Sequence, residues 1–110
     1  MDIEERFLKY VSIDTQSDEY SDTTPSTLKQ LDLGKELVKE MLELGITDAH
    51  LDEYGIVYGT IKGNGGTGDI IGFIAHMDTS PDASGTNIKP QKINNYDGSI
   101  IEINKELGLL

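Results

Sequence analysis

An uncharged apolar run that ends in a histidine constrains the fold of this chain more than any other feature. Residues 70–76 read IIGFIAH, and Asp78 follows two positions later. An apolar run of this length between turn-forming segments predicts a strand buried on both faces, as in the middle of an α/β sheet. The carboxyl end of such a strand is where α/β proteins usually place their chemistry. The run therefore predicts an α/β fold with a candidate site at its end.

His76 and Asp78 are the candidate site residues. In an extended chain, residues two apart point to the same side, so the imidazole and the carboxylate can share one site. An imidazole can ligate a metal ion, and a neighbouring carboxylate can orient its ring. A hydrogen-bonded loop histidine is the more common case, so the pattern alone leaves both interpretations open.

Composition excludes several classes of function. The chain has 20 acidic and 9 basic residues, a formal net charge of −11, which argues against binding nucleic acid or an anionic membrane surface. It has no cysteine, so a metal ion would need histidine and carboxylate ligands. No secretory signal and no apolar segment of membrane-spanning length is evident, and we expect one domain in a cytoplasmic protein.

Two helices are predicted before the apolar run. Apolar residues at helical spacing predict a first helix that ends near Ser12. A second helix is predicted to begin at a cap formed by Ser26 or Thr27 and to end at Gly45. Gly34, inside the second helix, predicts a point of close packing.

Short apolar segments separated by turn residues predict the strands. They are residues 49–52, 56–61, 70–75, 89–94 and 99–103. The last two flank an Asp97-Gly98 turn, and His50 is expected on the surface of the first. The fold class that follows is α/β, with two helices packed on a mixed sheet.

A glycine-rich segment precedes the apolar run. Residues 63–68 read GNGGTG and match the Gly-x-Gly-x-x-Gly pattern of dinucleotide-binding sites. Such a site requires a helix directly after the glycines, whereas a strand is predicted here. We therefore interpret the segment as a hairpin connection.

Several segments together resemble a known family. Residues 5–17 read ERFLKYVSIDTQS, residues 24–27 read TPST, and residues 72–82 read GFIAHMDTSPD. They resemble the start of the peptidase T family, tripeptide aminopeptidases among the co-catalytic zinc peptidases that include carboxypeptidase G and aminoacylase. The resemblance extends along essentially the whole chain, and it implies that residues 1–110 are the amino-terminal part of a peptidase catalytic domain.

The resemblance also implies roles for the two candidate residues. His76 matches a ligand of one of two zinc ions, and Asp78 matches the catalytic aspartate that positions that imidazole. The implied reaction is hydrolysis of the amino-terminal peptide bond of a short peptide, preferably a tripeptide. The implied parent enzyme dimerises through a lid domain. The ligands of the second zinc ion, the general base and the lid lie, in family members, beyond the segment matched here.

The 110 residues alone are accordingly expected to bind zinc weakly and to lack tripeptidase activity. The alternative is a non-catalytic binding or interaction domain derived from the peptidase fold, and a plain structural fragment is a third interpretation. The last residues, Gly108-Leu109-Leu110, provide neither a capped nor a polar ending. They favour a piece of a catalytic domain over a standalone module.

Overall fold

A computed structural model describes all 110 residues. The elements are two helices, α1 (Ile3–Val11) and α2 (Gln30–Glu43), followed by two short strands, β1 (His50–Leu51) and β2 (Val57–Tyr58). The strands pair antiparallel, with His50 opposite Tyr58 and Leu51 opposite Val57. The helices and the sheet confirm the α/β class. The sheet is a single antiparallel pair, so the predicted mixed sheet does not form.

α1 ends where the sequence predicts, and a capping box marks its start. The Asp2 carboxylate accepts a hydrogen bond from the Glu5 N–H at 2.8 Å, and the Glu5 carboxylate accepts one from the Asp2 N–H at 3.0 Å. This reciprocal capping box satisfies two N–H groups that the first turn of a helix leaves unpaired. At the other end, Ser12 follows the last helical residue.

α2 begins later than predicted, and neither Ser26 nor Thr27 caps it. Its first helical residue is Gln30, and no side chain caps its start. The Thr27 hydroxyl instead donates to the Gln16 carbonyl at 2.8 Å, and the Ser26 hydroxyl accepts from the Asp18 N–H at 3.1 Å. Both hydroxyls are thus used to hold the preceding loop, which local sequence could not reveal.

The end of α2 at Gly45 is confirmed. Gly45 has a φ of +88°, in the left-handed region that glycine adopts without steric cost. Its N–H donates to the Leu42 carbonyl at 3.0 Å, and the Ile46 N–H donates to the Met41 carbonyl at 2.9 Å. This pair of bonds is a Schellman motif, which satisfies carbonyls at the helix end.

α2 and the strands enclose a small packed region. Leu33 of α2 is 7% exposed and is the buried large apolar side chain of this region. Gly34 lies against Leu51 of β1, since a Cβ at position 34 would come within 2.8 Å of a Leu51 methyl group. The predicted close packing at Gly34 is therefore confirmed. A larger residue there would require the Leu51 side chain to shift.

The apolar run does not form the predicted buried strand. Residues 70–75 have no regular secondary structure, and Ile70, Phe73 and Ile74 are almost wholly exposed. A strand is stable only when a neighbour pairs with its backbone and its side chains are covered. No segment of this chain pairs with the run or covers it. The prediction was wrong because the apolar pattern indicates a preference for burial without supplying the partner.

The two later strand predictions fail for the same reason. Residues 89–94 and 99–103 pair with no neighbouring strand and have no regular structure. The turn between them does form, since the Asp97 carboxylate accepts from the Ser99 N–H at 2.9 Å. The glycine segment 63–68 joins no pair of strands, so it is an exposed connection rather than a hairpin. No helix follows it, which excludes the dinucleotide-binding geometry.

Polar contacts attach α1 to α2. Glu40 of α2, 6% exposed, accepts hydrogen bonds from the Tyr10 hydroxyl and, at 2.9 Å, from the Lys9 ammonium. The Arg6 Nε atom lies 2.9 Å from the same carboxylate, and Lys9 also pairs with Glu36. The hydrogen bond from Tyr10 and the charge of Lys9 hold the pKa of Glu40 below its ordinary value. No residue of α1 is fully buried, so these contacts carry much of its attachment.

Tyr10 gives a test of this attachment at alkaline pH. Burial, with the Glu40 carboxylate beside it, raises the pKa of Tyr10 from 10.0 to about 12. A raised folded-state pKa means that the stabilisation is complete below pH 10 and is lost as the pH rises through 12. We expect the wild-type chain to lose stability over this interval more steeply than Tyr10→Phe. Urea unfolding at stepped pH, with tyrosinate absorbance to follow ionisation, measures both quantities. Equal pH profiles for the two proteins would contradict the burial of Tyr10 against Glu40.

Candidate functional site

The structure brings the two candidate residues together. The Nδ1 atom of His76 lies 3.0 Å from the Oδ1 atom of Asp78 and 2.9 Å from the Asp78 carbonyl oxygen. The contact is made in an irregular segment, not at the end of a strand. The His76 side chain is 84% exposed and that of Asp78 is 41% exposed.

This geometry favours one form of the imidazole ring. Nδ1 faces two oxygen acceptors, so the neutral ring is stabilised with its proton on Nδ1. Nε2 is then left with a free lone pair on the solvent side. A histidine whose Nδ1–H is held by a carboxylate and whose Nε2 is free is the arrangement of a metal ligand with its orienting partner.

The pair fits one ligand position of a zinc site but not a whole site. No group of three or more His, Asp or Glu side chains in the structure is arranged to hold a metal ion. Catalytic zinc usually takes three protein ligands. These side chains therefore do not form a group of three ligands around His76.

His50, the other histidine, belongs to a different part of the molecule. It lies exposed on β1, as predicted, and its ring stacks on Tyr58 with the ring centroids 5.2 Å apart. Its Nδ1 atom lies 2.8 Å from the Asp48 carbonyl oxygen. It contributes to the packing of the strand pair and not to the His76–Asp78 site.

The segment that directly follows Asp78 is clamped by the loop after α1. The Thr79 N–H donates to the Thr15 carbonyl at 3.1 Å, and the Thr79 carbonyl accepts from the Ser17 N–H at 2.9 Å. The Ser17 hydroxyl donates to the same carbonyl, also at 2.9 Å. Gln16 and Thr79 thereby form an isolated parallel bridge, and Thr15 is 3% exposed beneath it. Both the N–H and the carbonyl of the residue next to Asp78 are thus held by one segment.

Gln16 extends this clamp with its side chain. Its Nε2 atom donates to the Pro81 carbonyl at 3.3 Å, and its Oε1 atom accepts from the Gly85 N–H at 3.4 Å. The two ends of one amide therefore hold two points of the loop that follows the site. An amide suits this position because it offers both a donor and an acceptor.

Asp14 makes a second set of contacts with the same loop. Its carboxylate accepts from the Thr86 hydroxyl at 3.0 Å and pairs with the Lys29 ammonium at 3.0 Å. The N–H of Gln16, together with Lys29, holds the pKa of the Asp14 carboxyl below its ordinary value. The loop after α1 is therefore joined both to the start of α2 and to the segment beyond Asp78.

An apolar hollow lies apart from the site. It has a volume of about 770 Å³, and its lining includes Ile88, Tyr96 and Ile100. Neither His76 nor Asp78 lines it. The hollow therefore adds no chemistry to the pair.

Neither helix has the length and apolar character that a helix needs to cross a membrane.

The chain is similar to known proteins over almost its whole length. No protein-family model matches it. It is 58% identical to a peptidase T from Desulfitobacterium hafniense strain Y51 over 107 residues, which are 96% of this chain and 26% of that protein. A peptidase T from Clostridium acetobutylicum is 51% identical over 96% of this chain and 26% of that protein. A peptidase T from Clostridium botulinum strain Loch Maree is 49% identical over 99% of this chain and 27% of that protein. The chain corresponds to a segment of peptidase T. It spans about a quarter of the length of these curated relatives.

The clamp is not evident from the sequence. Asp14, Gln16 and Ser17 lie in a polar stretch between the two helices, and Thr79 lies in a stretch of turn-forming residues. The only signal available was that both loops belong to the stretches that resemble the family. More than 60 residues separate the two loops, so local pattern gives no indication that they meet.

Proposed function

We propose that this chain is part of a metal-dependent tripeptide aminopeptidase, in which His76 ligates a zinc ion and Asp78 orients the imidazole. The observation that carries the proposal is the 3.0 Å contact between His76 Nδ1 and Asp78 Oδ1, which leaves Nε2 free for a metal. That contact lies in a segment 58% identical to a peptidase T. Its substrate is a short peptide, cleaved at the amino-terminal bond.

The residues of this chain have limited but definite roles in such an enzyme. His76 would hold zinc through Nε2, and Asp78 keeps the ring in the form that can bind. Bound zinc lowers the pKa of its coordinated water and polarises carbonyl groups. The remaining ligands, the second zinc ion and the general base would come from residues outside this segment, and none of the 110 residues is assigned to those tasks.

Metal removal tests the proposal in a chimera. Residues 1–110 replace the matching segment of the D. hafniense peptidase T, and the chimera is assayed with a tripeptide. We expect hydrolysis that disappears after dialysis against a chelator and returns with added zinc, because His76 supplies a ligand on which the metal site depends. Metal analysis of the dialysed protein establishes that the ion has gone.

Two comparisons make this experiment decisive. The unmodified D. hafniense protein shows what the host enzyme does under the same dialysis. The isolated 110 residues, which contain no group of three ligands, should be inactive with or without zinc. Activity that survives full removal of metal from the chimera would contradict the proposal. A folded chimera that binds peptide but never hydrolyses it would favour the alternative, a binding domain derived from the peptidase.

A further inference from the structure

We propose that Gln16 is a positioning residue for the His76–Asp78 pair. By holding the loop that follows Asp78, it keeps the two Asp78 oxygens on Nδ1 of His76. The purpose of a fixed His76 ring rests on the proposed function, in which Nε2 of His76 binds a metal ion. The contacts that fix the ring are present without a metal ion.

The His76 ring has no other support. Its hydrogen-bond partners in the structure are the carboxylate and the carbonyl of Asp78, and the side chain is 84% exposed. The orientation of the ring therefore depends on where the backbone places Asp78. A ring free of this contact would prefer to carry its proton on Nε2, which would remove the lone pair that a metal requires.

The backbone after Asp78 is placed by the loop after α1. The N–H of Thr79, the next residue, bonds to Thr15, and its carbonyl bonds to Ser17. The Gln16 side chain then fixes the following turn at Pro81 and Gly85. Two of these anchors, the carbonyl of Thr15 and the N–H of Ser17, belong to the residues on either side of Gln16. Gln16 therefore lies at the centre of the contact between the loop after α1 and the segment after Asp78.

Gln16 is itself tied to the helical part of the molecule. Its carbonyl accepts from the Thr27 hydroxyl at 2.8 Å, just before the start of α2. This gives a continuous connection from the beginning of α2 through Gln16 to Thr79 and Asp78. The site residues are exposed, yet they are attached through Gln16 to a region with regular secondary structure.

The test measures the position of the proton on the ring. The whole 110-residue chain is labelled with ¹⁵N at histidine, and the ring nitrogen shifts are read at a pH where both imidazoles are neutral. Hydrogen exchange of the Thr79 amide is measured on the same chain. The variants are Gln16→Ala, which removes both side-chain hydrogen bonds, and Gln16→Glu, which keeps the acceptor for Gly85 and loses the donor to Pro81.

For Gln16→Ala we expect the ratio of the Nδ1–H to the Nε2–H form of His76 to fall about fivefold, a change equal to the free energy of one typical hydrogen bond. Exchange of the Thr79 amide should accelerate by about the same factor. Gln16→Glu should change both quantities in the same direction. His50 is an internal reference, because its Nδ1 faces the Asp48 carbonyl and is remote from Gln16. Its ring signals should not change.

Gln91→Ala is the matched control. The side chain of Gln91 makes no hydrogen bond in the structure, and Gln91 lies in the hollow away from the site. Faster Thr79 exchange in Gln16→Ala with an unchanged His76 ring would show a merely structural role and overturn the inference. If Gln16→Ala loses its helical circular dichroism, Gln16→Glu decides the question, since an unchanged ring in that folded variant overturns the inference equally.

The result separates this inference from the proposed function. A His76 ring that responds to Gln16, in a chain whose chimera lacks metal-dependent hydrolysis, would support the positioning role and refute the proposed function. A metal-dependent chimera with a His76 ring indifferent to Gln16 would refute the positioning role alone.

Discussion

Replacing His76 by alanine in the chimera that carries residues 1–110 is expected to reduce tripeptide hydrolysis by more than about 100-fold. Loss of a partner outside the ligand shell typically costs 10- to 100-fold in metal affinity or activity, and loss of a ligand itself should cost more. The free Nε2 atom of His76, with Nδ1 held by Asp78 at 3.0 Å, is the physical reason. Steady-state kcat/KM and the zinc content of the purified protein measure the effect.

His50→Ala is the matched control for this experiment. It removes the same side chain from β1, where the ring stacks on Tyr58 and has no contact with the site. We expect this variant to keep its zinc and nearly all of its activity. A His76→Ala chimera that hydrolyses tripeptides as fast as His50→Ala would refute the assignment of His76 as a ligand.

Sequence predicted those features of the fold that depend on neighbouring residues alone. The extent of α1 follows from its spacing of apolar residues and from Asp2 and Glu5 at its start. The end of α2 follows from Gly45, whose positive φ any other residue would adopt at a cost. The close packing expected at Gly34 is also confirmed, although the sequence does not indicate that its partner is Leu51. The two helix boundaries depend on interactions within one element or on a residue of unusual geometry.

Sequence could not predict features that require a distant partner. Residues 70–75 have the composition of a buried strand, but pairing is a property of two segments, and here the second is missing from the structure. Ser26 and Thr27 are good helix caps by residue type, yet their hydroxyls bond to the loop at Asp18 and Gln16. Local propensity was outweighed by a tertiary contact.

The candidate site likewise has one part that the sequence could predict and one part that it could not. His76 and Asp78 are two residues apart, so their contact could be predicted from an extended backbone, although the segment that makes it belongs to no strand. The clamp between Gln16 and Thr79 joins residues more than 60 positions apart and could not be predicted. The pairing of the two residues was therefore accessible from the sequence, while the contacts that support it were not.

Glu40→Ala is expected to lower the free energy of unfolding by about 3 kcal/mol, the largest effect on stability that we predict. The buried Glu40 carboxylate accepts from Tyr10 and Lys9 and lies 2.9 Å from Arg6 Nε. Removal of this carboxylate takes away the acceptor that the Arg6 and Lys9 charges share with the half-buried Tyr10 hydroxyl. α1 should then separate from α2, and urea unfolding followed by circular dichroism measures the loss.

Glu43→Ala provides the matched control, since Glu43 lies on the same helix, is exposed and makes no hydrogen bond or ion pair. The same change of residue type there should be nearly neutral or slightly stabilising, because it removes a negative charge from the carboxyl end of α2. Equal unfolding midpoints for the two variants would mean that apolar contacts hold α1 instead. The exposure of Ile3 at 85% and of Phe7 at 63% argues against that outcome, because these two apolar side chains of α1 are largely uncovered.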